Sequence, residues 1–200
     1  GYAPVDARDW NNCGCVVPHN RKTGEWTAAV NMNFGSALEY ALNGGVSLMT
    51  GKKMGLDEKP AAEMTSFDEV KAAFYRQFDN LCRHSVILTV EAQRLHREMV
   101  PRPFLSSCIE HCLESGKDLS HGGAQYNVGP VITGIGLAVV TNSLAAVKKL
   151  VFEDKVCDMA ILARALQADW QGYEELQKAA KAAPKYGNDD DYADDLAREI

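Results

Sequence analysis

The stretch from Ser66 to Val100 constrains this chain more than any other. Ser66 and Glu69 make the S-x-x-E pattern that opens a helix, and Phe67, Val70, Phe74, Phe78, Leu81, Leu88, Ala92, Leu95 and Met99 then keep helical spacing until Pro101 stops them. One helix of about nine turns is predicted. Because a helix gains most of its stability by burying one face, a stripe this long, broken only at Ser85, needs a large surface to lie against.

The flanking segments are shorter. Residues 1–26 hold Pro4, Gly14, Pro18 and Gly24 with no sustained period and read as loop; a helix is expected from Ala28 to Asn43, closed by Asn43-Gly44-Gly45. Residues 46–65 form a connector. After Pro101 a helix is expected over Leu105–Ser115. The run "HGGAQYNVGPVITGIGLAVV" interleaves Gly with Val and Ile and reads as buried strand with close backbone approach. Helices over 142–152, 158–170 and 173–183 follow, with another in the acidic "NDDDYADDLAREI". The fold class is α/β but helix-rich, with too few strands to close a sheet alone.

Composition narrows the partners. With 46% apolar and 24% charged residues the chain can bury a full core, and 21 basic against 27 acidic residues give a net charge of −6, which disfavours a nucleic-acid partner. No segment has the length and apolarity of a membrane span, and "GYAPVDARDW" lacks the layout of a signal peptide. The expectation is a cytoplasmic protein whose six cysteines are reduced.

Two groups of residues have the chemistry for a site. In "NNCGCVVPHNRKTGEW", Cys15 is framed by Gly14 and by Val16, Val17 and Pro18, a stiff loop, with Arg21 and Lys22 near enough in sequence to favour thiolate. Alternatively Cys13 and Cys15 are small buried hydrophobes. Cys108, His111 and Cys112 have helical spacing that would let two thiols share a metal or would fit a plain core stripe; no metal is assigned to them. "GGVSLMTGKK" misses the phosphate-loop spacing, with Lys53 where Ser or Thr belongs, and "GPVITGIGLAVV" lacks the third glycine of a dinucleotide fingerprint.

Taken together, "GCVVP", "LEYALNGG", "MVPRPFLSSC", "GGAQYN", "TGIGLAVVTNSLAAVKKLVFED" and "PKYGNDDDYADDLA" resemble the glycyl radical enzymes of the pyruvate formate-lyase-like family, in the family's order and over nearly the whole chain. The resemblance implies a ten-stranded α/β barrel of two five-stranded halves, of which this chain is an internal, helix-rich fragment that is inactive alone. It also implies a thiyl-cysteine loop at 11–26, a long outer helix at 66–100 and barrel segments at 120–142. Cys15 matches the cysteine that a finger loop carries to the barrel centre, where its thiyl radical takes hydrogen from substrate. The implied cofactor is a backbone glycyl radical outside these residues, since no Arg-Val-Ala/Ser-Gly-Tyr loop occurs here, installed by a radical S-adenosylmethionine activating enzyme. The implied partners are that enzyme, a small-molecule substrate and a second copy of the full-length enzyme.

Two departures bear on the reaction. The family's dehydratases and arylacetate decarboxylases carry Glu two residues after the thiyl cysteine, where this sequence has Val17, and an apolar valine can be neither acid nor base. Pyruvate formate-lyase has adjacent cysteines, whereas Gly14 separates Cys13 from Cys15. The preferred expectation is therefore hydrocarbon addition to fumarate, as in benzylsuccinate and alkylsuccinate synthases, with His19 and Arg21 as candidate substrate-binding residues. The alternatives are a radical lyase of the decarboxylase, dehydratase or formate C-acetyltransferase type, and a non-catalytic interaction module.

Overall fold

The computed structural model describes residues 2–13, 17–24, 30–127 and 131–200. The chain opens with one helical turn, α1 (Pro4–Ala7), which Pro4 can start because its missing N–H has no helical partner to lose. β1 (Asn11–Cys13) and β2 (Val17–His19) pair antiparallel, with Asn11 opposite His19, Asn12 opposite Pro18 and Cys13 opposite Val17. Proline is tolerated in β2 because a two-stranded ribbon is all edge.

β3 (Val30–Asn33) precedes α2 (Phe34–Leu42). The helix expected from Ala28 thus starts at Phe34, because the side chain of Asn33 accepts the Gly35 N–H at 2.9 Å and caps it there; residues 28 and 29 lie outside the described residues. Gly44 and Gly45 follow with φ of 60° and 82°, as the sequence anticipates. The long helix is present as α3 (Phe67–Met99). Its cap differs slightly from the expected box: the Glu69 N–H bonds Ser66 Oγ at 3.3 Å, but the Glu69 carboxylate takes the N–H of Thr65, at 2.6 Å.

α4 (Pro103–Ser106) and α5 (Cys112–Ser115) replace the single helix expected over Leu105–Ser115. The break falls at His111, whose φ of 80° cannot continue a right-handed helix. β4 (Ile132–Ile135) pairs with β3 as the second two-stranded sheet among the described residues. Strand was expected to run through Val140, but Gly136 at φ 92° ends it and α6 (Leu137–Val147) begins at once, running on into a wider π-type turn to Glu153. α7 (Met159–Gln167), α8 (Glu174–Ala182) and α9 (Asp191–Glu199) follow. Asp158 caps α7 by accepting the Ile161 N–H at 2.7 Å, and Asp190 caps α9 by accepting that of Tyr192 at 3.0 Å.

The chain divides into two compact units, residues 31–84 with 134–200 and residues up to 30 with 85–133. The larger unit is built from helices around α6. Leu38 of α2, Val70 and Phe74 of α3, Leu144 of α6, Leu162 of α7 and Leu196 of α9 share one core. Ala37, Ala41, Ala73, Ala145 and Ala193 are fully buried, small enough for helix backbones to approach closely. Gly134 lies under the Phe34 ring, which stands edge-on to Phe78 at 4.9 Å.

The stripe predicted for α3 seals only the half in this unit. Beyond His84 the buried positions are Ser85 and Thr89, the Thr89 hydroxyl donating back to the Ser85 carbonyl at 2.9 Å, while Leu88, Leu95 and Met99 are exposed. None of the helices among the described residues is long and apolar enough to cross a membrane.

Candidate active site: the cysteine hairpin and its base

The site suggested by the sequence belongs to the smaller unit. The hairpin of β1 and β2 ends on the pair Cys13 and Val17, and Cys15, between them in sequence, lies outside the described residues. What the structure describes is how the hairpin is held at its other end. Asn20, directly after β2, is 2% exposed; its Oδ1 accepts the Lys22 N–H at 2.9 Å and the Thr23 hydroxyl at 3.0 Å. A buried amide so fully used fixes the turn that leaves the hairpin.

Asp6 of α1 lies against this turn, 6% exposed. Its Oδ1 accepts the Lys22 ammonium at 2.6 Å and its Oδ2 the Tyr126 hydroxyl at 2.5 Å, while its carbonyl accepts the Asn20 amide at 3.2 Å. The hydrogen bonds from Lys22 and Tyr126 hold the Asp6 carboxyl below the usual carboxylate range, and Asp6 in return raises Lys22. Both groups are therefore charged throughout the physiological range.

Tyr126 belongs to "GGAQYN". Its N–H bonds the Lys22 carbonyl at 2.9 Å and its own carbonyl accepts the Gly24 N–H at 2.7 Å, so this segment runs beside the outgoing strand end. Tyr2 packs edge-on to the Tyr126 ring at 4.6 Å. The glycines of the motif allow the close approach expected of them: a methyl on Gly123 would overlap the Lys117 carbonyl, 2.8 Å from its carbon and 2.9 Å from the Asp118 oxygen. Asp118 organises the turn beneath. It accepts the Arg102 N–H at 2.8 Å, the Ser106 hydroxyl at 2.7 Å, and the Ser120 N–H and hydroxyl at 2.9 and 2.7 Å. Burial raises its pKa, yet these bonds outweigh that and hold it at about 2.

The other sequence candidates are dispersed. His19 is half-buried and opposite Asn11, at the base of the hairpin. Arg21 is 68% exposed and already paired, its Nε 2.8 Å from Glu110 and 3.5 Å from Asp9. Cys108 is exposed with its thiol on the Phe104 carbonyl, whereas Cys112 is buried with Leu119 and Ala124 and its thiol pKa is raised by that burial. Cys108 therefore lies in the turn after α4 while Cys112 opens α5, and among the described residues no group of three or more His, Cys, Asp or Glu is placed to hold a metal. In the larger unit an apolar cleft of about 490 Å³ between α2, α6, α7 and α8 contains none of these residues. Asp6, Lys22 and Tyr126 had no sequence signal as a group, being separated by up to 120 positions.

Comparison with known proteins identifies the scaffold. A family model described as pyruvate formate lyase-like matches residues 1–200. The (2S)-3-sulfopropanediol dehydratase of Klebsiella oxytoca is 39% identical over 203 residues, covering 98% of this chain and 24% of that protein. The trans-4-hydroxy-L-proline dehydratase of Clostridioides difficile is 34% identical over 201 residues, covering 100% and 25%. Among solved structures, the glycerol-bound form of the B12-independent glycerol dehydratase from Clostridium butyricum matches with a TM-score of 0.90 at 37% identity, over 100% of this chain and 25% of that one.

The chain thus spans about a quarter of the length of the relatives it matches. These relatives correct one expectation: they are dehydratases, not enzymes that add hydrocarbons to fumarate, and they favour the alternative of a radical lyase of the dehydratase type over the preferred one. From its cysteine hairpin to its C-terminal helix, the chain belongs to the pyruvate formate lyase-like family of glycyl radical enzymes.

Proposed function

We propose that this chain is the cysteine-bearing part of a radical lyase that eliminates a leaving group from a small hydroxylated substrate, with Cys15 as the hydrogen-transfer thiol. The observation that carries this reading is the match to dehydratases along the full chain, which includes the hairpin framing Cys15. A backbone glycyl radical elsewhere in the full-length protein would supply the one-electron oxidation of the thiol. The sulfur radical then takes a hydrogen atom from a substrate carbon, making S–H and leaving an unpaired electron on that carbon. The bond from the adjacent carbon to its oxygen breaks, water departs with the help of proton transfer, and the product radical recovers its hydrogen from S–H, so that Cys15 ends as it began.

A short hairpin with a fixed base, flanking Cys15 in sequence, suits a sulfur that must meet two hydrogen donors in turn. Val17 cannot move the proton that accompanies loss of hydroxide, so that group comes from another part of the full-length enzyme. The substrate and the activating enzyme, like a homodimeric assembly, belong to that longer protein.

The test uses the full-length protein, activated anaerobically by a radical S-adenosylmethionine enzyme and given glycerol, propane-1,2-diol or trans-4-hydroxy-L-proline, with products identified by mass spectrometry. Loss of water is expected, with a glycyl radical doublet by EPR. Cys15→Ser should keep the doublet and abolish turnover; persistent turnover in that variant overturns the assignment.

A further inference from the structure

We propose that Asp6 and Tyr126 are positioning residues for the Cys15 thiol, fixing the base of the hairpin from which the sulfur must reach its two hydrogen donors. The inference rests on the assignment of Cys15 above.

Three observations point to the base as the controlling element. First, one buried carboxylate joins three segments distant in sequence: the Lys22 ammonium on Oδ1, the Tyr126 hydroxyl on Oδ2 and, through the Asp6 carbonyl, the Asn20 amide. Second, both ends of the hairpin meet there. Asp6 belongs to α1, which precedes β1, Asn20 immediately follows β2, and the Tyr126 hydroxyl also accepts the Ala3 N–H at 3.2 Å. Third, the hairpin has only three residue pairs, so it extends about 10 Å from its base.

A lever of that length amplifies error. A tilt of about 5° at the base displaces its far end by about 1 Å, enough to cost about 100-fold in a reaction that requires near-contact geometry. Removing the Tyr126 hydroxyl leaves the ring on Tyr2 and leaves Lys22 on Asp6, so the fold retains its packing while one arm of the anchor is lost. Asp6→Asn is the stronger lesion, because an amide nitrogen facing Lys22 or Tyr126 cannot accept their hydrogens.

The test compares wild-type, Tyr126→Phe, Asp6→Asn and Cys15→Ser forms of the full-length enzyme after anaerobic activation. Besides kcat and KM, it follows the EPR doublet after transfer into D2O without substrate. A thiol proton exchanges with solvent, so hydrogen passing back and forth between Cys15 and the radical-bearing glycine carries deuterium to that glycine and collapses the doublet. The collapse rate therefore reads the thiol's placement directly.

Tyr126→Phe is expected to keep its radical yield and its KM within about twofold, while kcat and the collapse rate fall together by about 10- to 100-fold. Asp6→Asn should fall at least as far; if it fails to fold, Tyr126→Phe decides. Collapse and kcat at wild-type rates in Tyr126→Phe overturn the proposal, as does a drop in kcat alone or a failure to take up the radical. Collapse that persists in Cys15→Ser overturns the assignment of Cys15 itself, whereas loss of collapse there with normal collapse in Tyr126→Phe removes only the positioning role.

Discussion

Asp118 offers a quantitative test of how the turn ahead of Gly122 and Gly123 is held. Its carboxylate accepts four hydrogen bonds, two from Ser120 and one each from Ser106 and the Arg102 N–H. Ser106 Oγ in turn accepts the Leu119 N–H at 3.0 Å, so substitution disturbs a second layer as well. The carboxyl is depressed from 3.8 to about 2. Fully shielded, such a shift would correspond to about 2.4 kcal/mol; the side chain is partly open to water, which reduces its contribution to about 1 kcal/mol. Asp118→Asn replaces one accepting oxygen by a donor and strands a backbone N–H or a hydroxyl, so the combined cost is about 1–2 kcal/mol. Native-state hydrogen exchange of the full-length protein, read by mass spectrometry on peptides covering 102–120, should quicken about 5- to 30-fold at pH 7. Since the folded carboxyl titrates below the unfolded one, its stabilisation is complete above about pH 5, about half gone near pH 3 and lost toward pH 2. The gap between wild type and variant, corrected for intrinsic exchange, must narrow over that interval. Equal exchange in the two proteins at pH 7, or a gap that widens on acidification, would refute the account.

Other consequences are simpler to measure. Phe74→Ala empties a fully buried ring site beside Phe78 and should cost about 3–5 kcal/mol, read as a fall in the denaturant midpoint of the larger unit's helical signal; a loss under about 1 kcal/mol would mean the core collapses around it. Gly134→Ala places a methyl against Phe34, 2.8 Å from Cε1 and nearer still to Cζ, and should lower Tm, with Phe34→Leu in the same chain restoring part of the loss. Gly123→Ala meets the Lys117 backbone instead, so no partner substitution should rescue it; a rescue by a change at any side chain would contradict this geometry. With iodoacetamide under native conditions, Cys108 should alkylate before Cys112, whose burial both hides the thiol and raises its pKa; the reverse order would be incompatible with this packing.

What could be read from the sequence follows the range of the interactions involved. α3 was legible because its cap, stripe and stop are local, and α9 because its acidic first turn is. Misreadings fell where a local signal met a competing one. Val30 and Asn33 looked like helix interior until Asn33 served as the cap, and the Val-Ile-Gly run looked like one strand until Gly136 turned it into α6. Over the second half of α3 the buried positions are Ser85 and Thr89, which carry no apolar signature, and the Thr89 hydroxyl donates back to the Ser85 carbonyl. The hairpin base could not be read at all: Asp6 is 16 residues from Lys22 and 120 from Tyr126, and neither spacing carries a period.

The same distinction explains why a family is legible where a reaction subtype is not. Six ordered blocks identify a scaffold because each reports a local backbone requirement, such as the close approach at Gly123 or the turn at Gly44 and Gly45. A reaction subtype depends on groups assembled around the substrate from segments far apart in the chain. Reading it from Val17 and from the separation of Cys13 and Cys15 assumed that the reaction is decided within this loop. The relatives, four times as long as the segment they share with this chain, have ample other structure from which an acid or base can reach their substrates. In the proposed lyase Val17 would therefore restrict which residue moves the proton without deciding which bond breaks. Grafting the missing carboxylate separates the two: if Val17→Glu leaves the product of the full-length enzyme unchanged and alters only its pH–rate profile, bond choice resides elsewhere, whereas a new product would return that choice to position 17.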